Sequence, residues 1–253
     1  MRNQVQKMIL QLEEKIENKS NQGTEELIPL IKDLLNIYKL TLSQAPPQIS
    51  WIESRLYDIK KTIAQKTPSA IVHIVPSKSS IGNLIKIDLQ KFNNNSISML
   101  NGQYSYSRRI NYHGILYTGA QSNCYTQVYR NGTMELVHSD LLYKNIFDPV
   151  EFEEDLSKVV EQYLSTMLNT LKKQNEDTIE IYITLSNVKD IVFHIKNTRI
   201  INRHSIDQEE IKLPVIQIKI DNEDCINIKE SFQPAIEVLW NAGGFIKPLS
   251  HSF

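Results

Sequence analysis

Residues 125–138 read YTQVYRNGTMELVH and give the clearest indication of the architecture. Segments rich in β-favouring residues lie on both sides of Asn131-Gly132, a dipeptide typical of tight turns between antiparallel strands. The pattern therefore predicts a β-hairpin with a type I′ turn at Asn131-Gly132. Other short β-rich segments predict further strands of a largely antiparallel sheet, at 71–75, 84–89, 112–117, 179–185, 191–195 and 215–220.

Two segments around these strands have the apolar spacing of amphipathic helices. A long helix is predicted from Pro149 to about residue 171, because proline is favoured in a first helical turn. A final helix is predicted over 228–241, ended by Gly243-Gly244. Strands and helices in this order predict an α+β domain over 69–253, with a mixed, largely antiparallel sheet, a long helix and a C-terminal helix.

The first 68 residues are predicted to form a separate helical region, either a helical hairpin or three helices. The third helix is expected to open at a capping box beginning with Ser50 and to bury Ile52, Leu56, Ile59 and Ile63. Three short helices bury little surface alone, so the region is expected to bind a partner protein or a second copy of the chain. The predicted partner-binding residues are Leu27, Leu30, Ile31 and Leu34.

Composition excludes several classes of protein. The chain has 253 residues, 28 basic and 29 acidic side chains and 41% hydrophobic residues, which excludes a fully disordered or collagen-like chain. Only Cys124 and Cys225 are present, so no disulfide framework is possible. Without an apolar run long enough to cross a bilayer or a recognisable signal peptide, the protein is expected to be soluble, unexported and cytoplasmic.

The segment 104–130 concentrates tyrosine and arginine, with six of the eleven tyrosines. Arginine binds phosphate or carboxylate and tyrosine stacks on bases, so this mixture predicts a site for a ligand or a nucleic acid. Ordinary sheet packing is the competing interpretation, because tyrosine is favoured in strands. The candidate binding residues are Arg108, Arg109, Asn111, Tyr112, His113, Tyr125, Gln127, Arg130 and Glu135.

Motifs for cofactor or metal chemistry are not found. The six histidines are scattered without HxH, HxxxH or CxxC spacing, and no glycine-rich phosphate loop or GxSxG elbow occurs. We therefore predict no cofactor, no metal and no catalytic residue, and leave open whether the protein is an enzyme.

Several short motifs resemble a known group of proteins. They include IVHIVP at 71–76, the pattern YxQxYRNGxxE at 125–135 and LWNAGG at 239–244. Over about residues 70–253 the chain resembles the C-terminal region of prokaryotic proteins that carry an N-terminal Schlafen AlbA-type domain, to which DNA binding is attributed. The AlbA-type domain itself is not evident here, so the resemblance implies a prokaryotic intracellular accessory or sensor domain rather than DNA binding.

The leading hypothesis is a non-enzymatic interaction or sensor module of a prokaryotic cytoplasmic assembly with a regulatory or defence role. It would bind a protein partner through the N-terminal helices and a ligand or nucleic acid through the tyrosine- and arginine-rich sheet. One alternative is an enzyme acting on nucleic acid or nucleotides, which requires His113, Arg109, Arg130 and Glu135 to converge in a pocket. Another is a non-catalytic nucleic-acid-binding protein, with affinity that falls steeply with salt.

Overall fold

The computed structural model describes residues 47–63, 67–77, 87–94, 97, 100, 107–119, 124–139, 146–173, 178–194, 201–220, 228–246 and 248. The chain divides into two compact units between Trp51 and Ile52, and all elements below belong to the second unit apart from residues 47–51 of the first helix. The predicted helices before residue 47, with Leu27, Leu30, Ile31 and Leu34, lie outside the described residues. The predicted division into 1–68 and 69–253 stays a prediction.

The described residues form an α+β fold, as the sequence predicts. The helices are α1 (Pro47–Thr62), α2 (Leu89–Asn94), α3 (Pro149–Lys173) and α4 (Ile228–Ala242). The strands are β1 (Ser69–Pro76), β2 (Ser107–Ile110), β3 (Gly114–Thr118), β4 (Tyr125–Tyr129), β5 (Met134–His138), β6 (Ile146–Phe147), β7 (Thr178–Ser186), β8 (Val192–His194), β9 (Ile201–Ser205), β10 (Glu210–Lys212) and β11 (Ile216–Lys219).

An eight-stranded antiparallel sheet holds most of the strands, in the order β10-β7-β1-β5-β4-β3-β2. Strand β11 also pairs with β7, further along the edge that β10 occupies. A smaller sheet has the order β6-β8-β9, with β6 and β8 parallel. Strand β2 therefore forms one edge of the large sheet as far as the described residues extend.

One face of the large sheet carries the main hydrophobic core. Alternate residues of the central strands point to this face, such as Val72 and Ile74 of β1 and Ile181 and Ile183 of β7. Helices α3 and α4 contribute to the same cluster, where Tyr163 and Trp240 are fully buried. No helix among the described residues is both long and apolar enough to span a membrane.

Helix α1 packs on the opposite face of the sheet. Its predicted apolar stripe, Ile52, Leu56, Ile59 and Ile63, is buried. Arg55 projects from the same side of the helix, because it lies one turn from both Ile52 and Ile59. The pairs Lys212–Glu53, at 2.8 Å, and Lys60–Glu210 join α1 to β10.

Most predicted strands are present, as are the helix predicted from Pro149 and the final helix predicted over 228–241. Three local predictions are wrong. Helix α1 begins at Pro47, so Ser50 lies within its first turn instead of capping it. Leu89, predicted to end a strand, begins helix α2. Tyr112 and His113 form the turn between β2 and β3, so the strand predicted from Tyr112 starts at Gly114.

The turn between β4 and β5 also differs from the type I′ prediction. Among the described residues other than glycine, only Asn187 and Asp190 have a positive φ, whereas a type I′ turn needs one at Asn131. The Gly132 amide donates to the Tyr129 carbonyl at 3.0 Å, and the Tyr129 amide donates to the Thr133 carbonyl at 2.8 Å. Gly132, with φ +84°, thus closes a three-residue loop, and the flanking strands still pair as predicted.

Candidate functional site

A buried carboxylate, Glu135 of β5, is the centre of the densest polar cluster in the described residues. Arg55 of α1 binds it bidentately, with Nε 2.9 Å from Oε2 and Nη2 2.8 Å from Oε1. His73 Nε2 lies 3.1 Å from Oε2. The hydroxyls of Tyr125 and Tyr129 donate to Oε1 at 2.8 and 3.2 Å. We call these five residues the Glu135 cluster.

Strand register explains how four of these side chains meet. His73 of β1 stands directly opposite Glu135 of β5, and Glu135 stands opposite Gln127 of β4. Tyr125 and Tyr129 lie two residues on either side of Gln127, so all three point to the same face. That face is the one covered by α1, which supplies Arg55 from above the sheet.

The cluster holds Glu135 in its charged form. Burial is the largest single influence and raises the pKa of the Glu135 carboxyl, but the hydrogen bonds and electrostatic attraction of His73 and Arg55 together outweigh it and lower the pKa from 4.5 to about 2. The hydrogen bond to Glu135 raises the pKa of Arg55 above its ordinary value. Burial, reinforced by the negative charge of Glu135, raises the pKa of both Tyr125 and Tyr129.

The geometry of the cluster is that of a structural brace. A carboxylate offers about four lone-pair sites, and Glu135 already accepts contacts from five donor atoms on four residues. With its pKa near 2 and its side chain fully buried, Glu135 is unsuited to exchange protons near neutral pH. The cluster therefore fastens α1 to the sheet.

A second group of predicted residues shapes the turn between β2 and β3. The Asn111 side chain donates to Gln127 Oε1 at 2.8 Å and accepts from the Gly114 amide at 2.8 Å. Arg130 Nε donates to the Tyr112 carbonyl at 3.0 Å. Gly114, with φ +150°, has no space for a side chain, because a Cβ would lie 2.0 Å from the Val128 carbonyl oxygen.

The remaining predicted residues are exposed at the sheet edge. Both arginines of β2, Arg108 and Arg109, are exposed, and Tyr112 in the following turn is 89% exposed. His113 is exposed too, with its ring edge-on to Tyr112 at a centroid distance of 5.4 Å. No ion pair within the described residues involves Arg108 or Arg109. We call residues 107–113 the edge segment.

The structure thus separates the nine predicted binding residues into three groups. Glu135 and Tyr125 belong to the buried cluster, and Asn111, Gln127 and Arg130 brace the turn. Of the nine, only Arg108, Arg109, Tyr112 and His113 are exposed and make no such side-chain hydrogen bond or ion pair to another described residue. The convergence of His113, Arg109 and Arg130 on Glu135, which the enzyme alternative requires, is not seen: Glu135 is fully buried and the other three are exposed.

The sequence patterns did not connect Arg55, His73 and Tyr129 with Glu135. The two β-rich segments 71–75 and 134–138 contained a signal for His73, because their antiparallel pairing places it opposite Glu135. Arg55 had no such signal, since it is 80 residues away from Glu135 in sequence.

Comparisons with known proteins add no assignment. No family model matches the chain, no curated protein matches it and no solved structure matches it. The resemblance to the C-terminal region of Schlafen AlbA-type proteins stays a prediction. In the part of the chain that the structure describes, no group of three or more His, Cys, Asp or Glu side chains is placed to hold a metal ion.

Proposed function

We propose that this protein is a non-enzymatic binding module that recognises a negatively charged partner through the edge segment. The observation that carries the proposal is the pair of exposed arginines in β2, Arg108 and Arg109, for which the described residues provide no acidic partner. Hydrogen bonds from arginine to carboxylate or phosphate are among the strongest that proteins make. An acidic or phosphate-bearing partner would supply the missing acceptors.

The surroundings of the two arginines support the same function. Tyr112 and Ile110 expose large apolar surfaces, at 89% and 58%. Exposed aromatic and arginine side chains side by side are typical of recognition surfaces. The turn that presents them is held by the side chains of Asn111 and Arg130, so the surface is preorganised for binding.

Two further parts of the proposal rest on the sequence. Contact with a second protein through the helices of 1–68 rests on the apolar spacing of that region. A place in a prokaryotic cytoplasmic assembly with a regulatory or defence role rests on the family resemblance. Neither bears on the test of the edge segment.

The test is a binding titration with two polyanions, a fluorescein-labelled oligoglutamate peptide and a labelled oligothymidylate. We expect at least one to bind, and we expect Arg108→Ala with Arg109→Ala to weaken binding at least about ten-fold, because hydrogen bonds to charged groups contribute about 1.5–3 kcal/mol each. Binding should also weaken as salt is added.

The matched control is Lys172→Ala with Lys173→Ala at the end of α3, which removes the same charge from another surface. It should change the dissociation constant less than about two-fold, since only non-specific attraction is reduced. Equal losses in the two double variants, or no binding of either polyanion, would overturn the proposal.

A further inference from the structure

We propose that β2 is a docking edge, to which an acidic segment of a partner protein adds as a further antiparallel or parallel strand. This inference rests on the proposed function and names the partner class. It starts from the hydrogen-bond pattern of the β2–β3 hairpin. The amides of Asn111 and Gly114 each donate to the other residue's carbonyl, at 2.8 and 3.3 Å, so these two residues form a hydrogen-bonded pair.

Hydrogen-bonded and non-hydrogen-bonded residue pairs alternate along an antiparallel ladder. This alternation fixes the direction in which the remaining amides and carbonyls of β2 point. In an antiparallel ladder every second pair is hydrogen-bonded, so Arg109–Leu116 belongs to the same class as Asn111–Gly114. The amides and carbonyls of Arg108 and Ile110 then point away from β3. Both residues are exposed and no described strand pairs with this side of β2, so within the described residues their outward backbone groups are available to a new strand.

The side chains of β2 define what kind of strand fits. Arg108 stands opposite Tyr117, on the face of the main core, and Arg109 stands opposite Leu116, on the face of the Glu135 cluster. The two positive charges therefore flank the edge on opposite faces of the sheet. Consecutive residues of an extended peptide also project to opposite faces, so two adjacent acidic residues would match the two arginines.

The same charges argue against two other occupants. Pairing of β2 with the β2 strand of a second copy would bring arginines of like charge together. A single-stranded nucleic acid offers phosphates but cannot form a ladder with the outward amides and carbonyls of Arg108 and Ile110. An acidic peptide can pair its carboxylates with the two arginines and can also form backbone hydrogen bonds with the outward amides and carbonyls.

The experiment uses the full chain and a labelled nine-residue peptide of alternating threonine and valine with two adjacent glutamates at its centre. Ile110→Pro removes the outward amide without removing a ladder hydrogen bond, a position where an edge strand tolerates proline. We expect at least about ten-fold weaker peptide binding by Ile110→Pro and at most about two-fold weaker binding by the control Ile110→Val, which keeps the amide and most of the apolar side chain. Melting temperatures of the three proteins establish that each is folded.

A second measurement leaves the protein unchanged. Two peptides are compared, one N-methylated at alternate residues along one edge and the other N-methylated along the opposite edge. Each keeps its charge but loses the amide donors of its methylated edge. We expect one of the two to bind at least about ten-fold more weakly to the wild-type chain and the other to bind normally. This pattern would support strand addition whether or not Ile110→Pro folds.

The remaining outcomes separate this inference from the proposed function. If peptide binding requires Arg108 and Arg109 but neither N-methylated peptide is weakened, strand addition is overturned and binding by charge stands. Strand addition is overturned in the same way if oligothymidylate binds through the two arginines and the peptide does not bind. If the arginine variant binds both probes as the wild type does, both proposals are overturned.

Discussion

Replacing Glu135 with glutamine should destabilise the protein by about 3 kcal/mol at pH 7. The magnitude follows from the pKa of the carboxyl, which falls from 4.5 in the unfolded chain to about 2 in the folded one. Each unit of pKa corresponds to about 1.4 kcal/mol of preference for the charged form. Glu135→Gln keeps the size of the side chain but removes the charge that Arg55 and His73 contact.

The predicted loss depends on pH, and its sign follows from the lowered pKa. The charged carboxylate stabilises the fold fully above about pH 4.5, and this contribution is lost as the pH falls towards 2. Somewhat less than half of it should remain at pH 3. The wild type and Glu135→Gln should therefore differ most at neutral pH and become similar in acid.

Urea unfolding followed by tryptophan fluorescence measures this difference, because Trp240 is fully buried. The matched control is Glu237→Gln on the exposed side of α4, which should change the free energy of unfolding by less than about 0.5 kcal/mol. Equal stability of Glu135→Gln and the wild type at pH 7, or a difference that grows in acid, would refute the assignment of the Glu135 cluster as the brace of α1.

Two other substitutions test the packing around the site. Gly114→Ala should lower the free energy of unfolding by at least about 2 kcal/mol, because its Cβ would meet the Val128 carbonyl oxygen, and an unchanged thermal melting temperature would contradict the turn geometry. Leu56→Ala should cost about 2–5 kcal/mol in urea unfolding, because Leu56 is buried on the face of α1 that packs on the sheet. A loss below about 1 kcal/mol would mean that this face of the helix is not part of the core.

Much of the sheet could be predicted from short runs of β-branched, aromatic and other apolar residues. Strands β1, β5 and β7 have one face in the main core, which requires apolar residues at most of the positions that point to it. The edge strand β2 escaped prediction because its four residues, SRRI, are all exposed. A strand that buries nothing leaves no hydrophobic pattern in the sequence.

For the candidate binding site in the tyrosine- and arginine-rich segment, the sequence predicted a group of residues but not their separate positions. Composition identified the residues, but their separation into a buried cluster, a braced turn and an exposed edge depends on register. Arg108 and Arg130 have the same chemistry in sequence; the structure exposes the first at the edge and directs the second to the carbonyl of Tyr112. No local sequence pattern predicts that α1 packs on the sheet and brings Arg55 to Glu135.

The most direct test of binding at the edge segment is amide chemical-shift mapping of the isotope-labelled chain during titration with the unlabelled acidic peptide. We expect the largest shifts to fall on residues 107–113, and the amides of Arg108 and Ile110 to become protected from hydrogen exchange. Small shifts are expected at Lys172 and Lys173. Shifts concentrated away from the edge segment, or an edge segment that does not respond, would contradict peptide docking at β2.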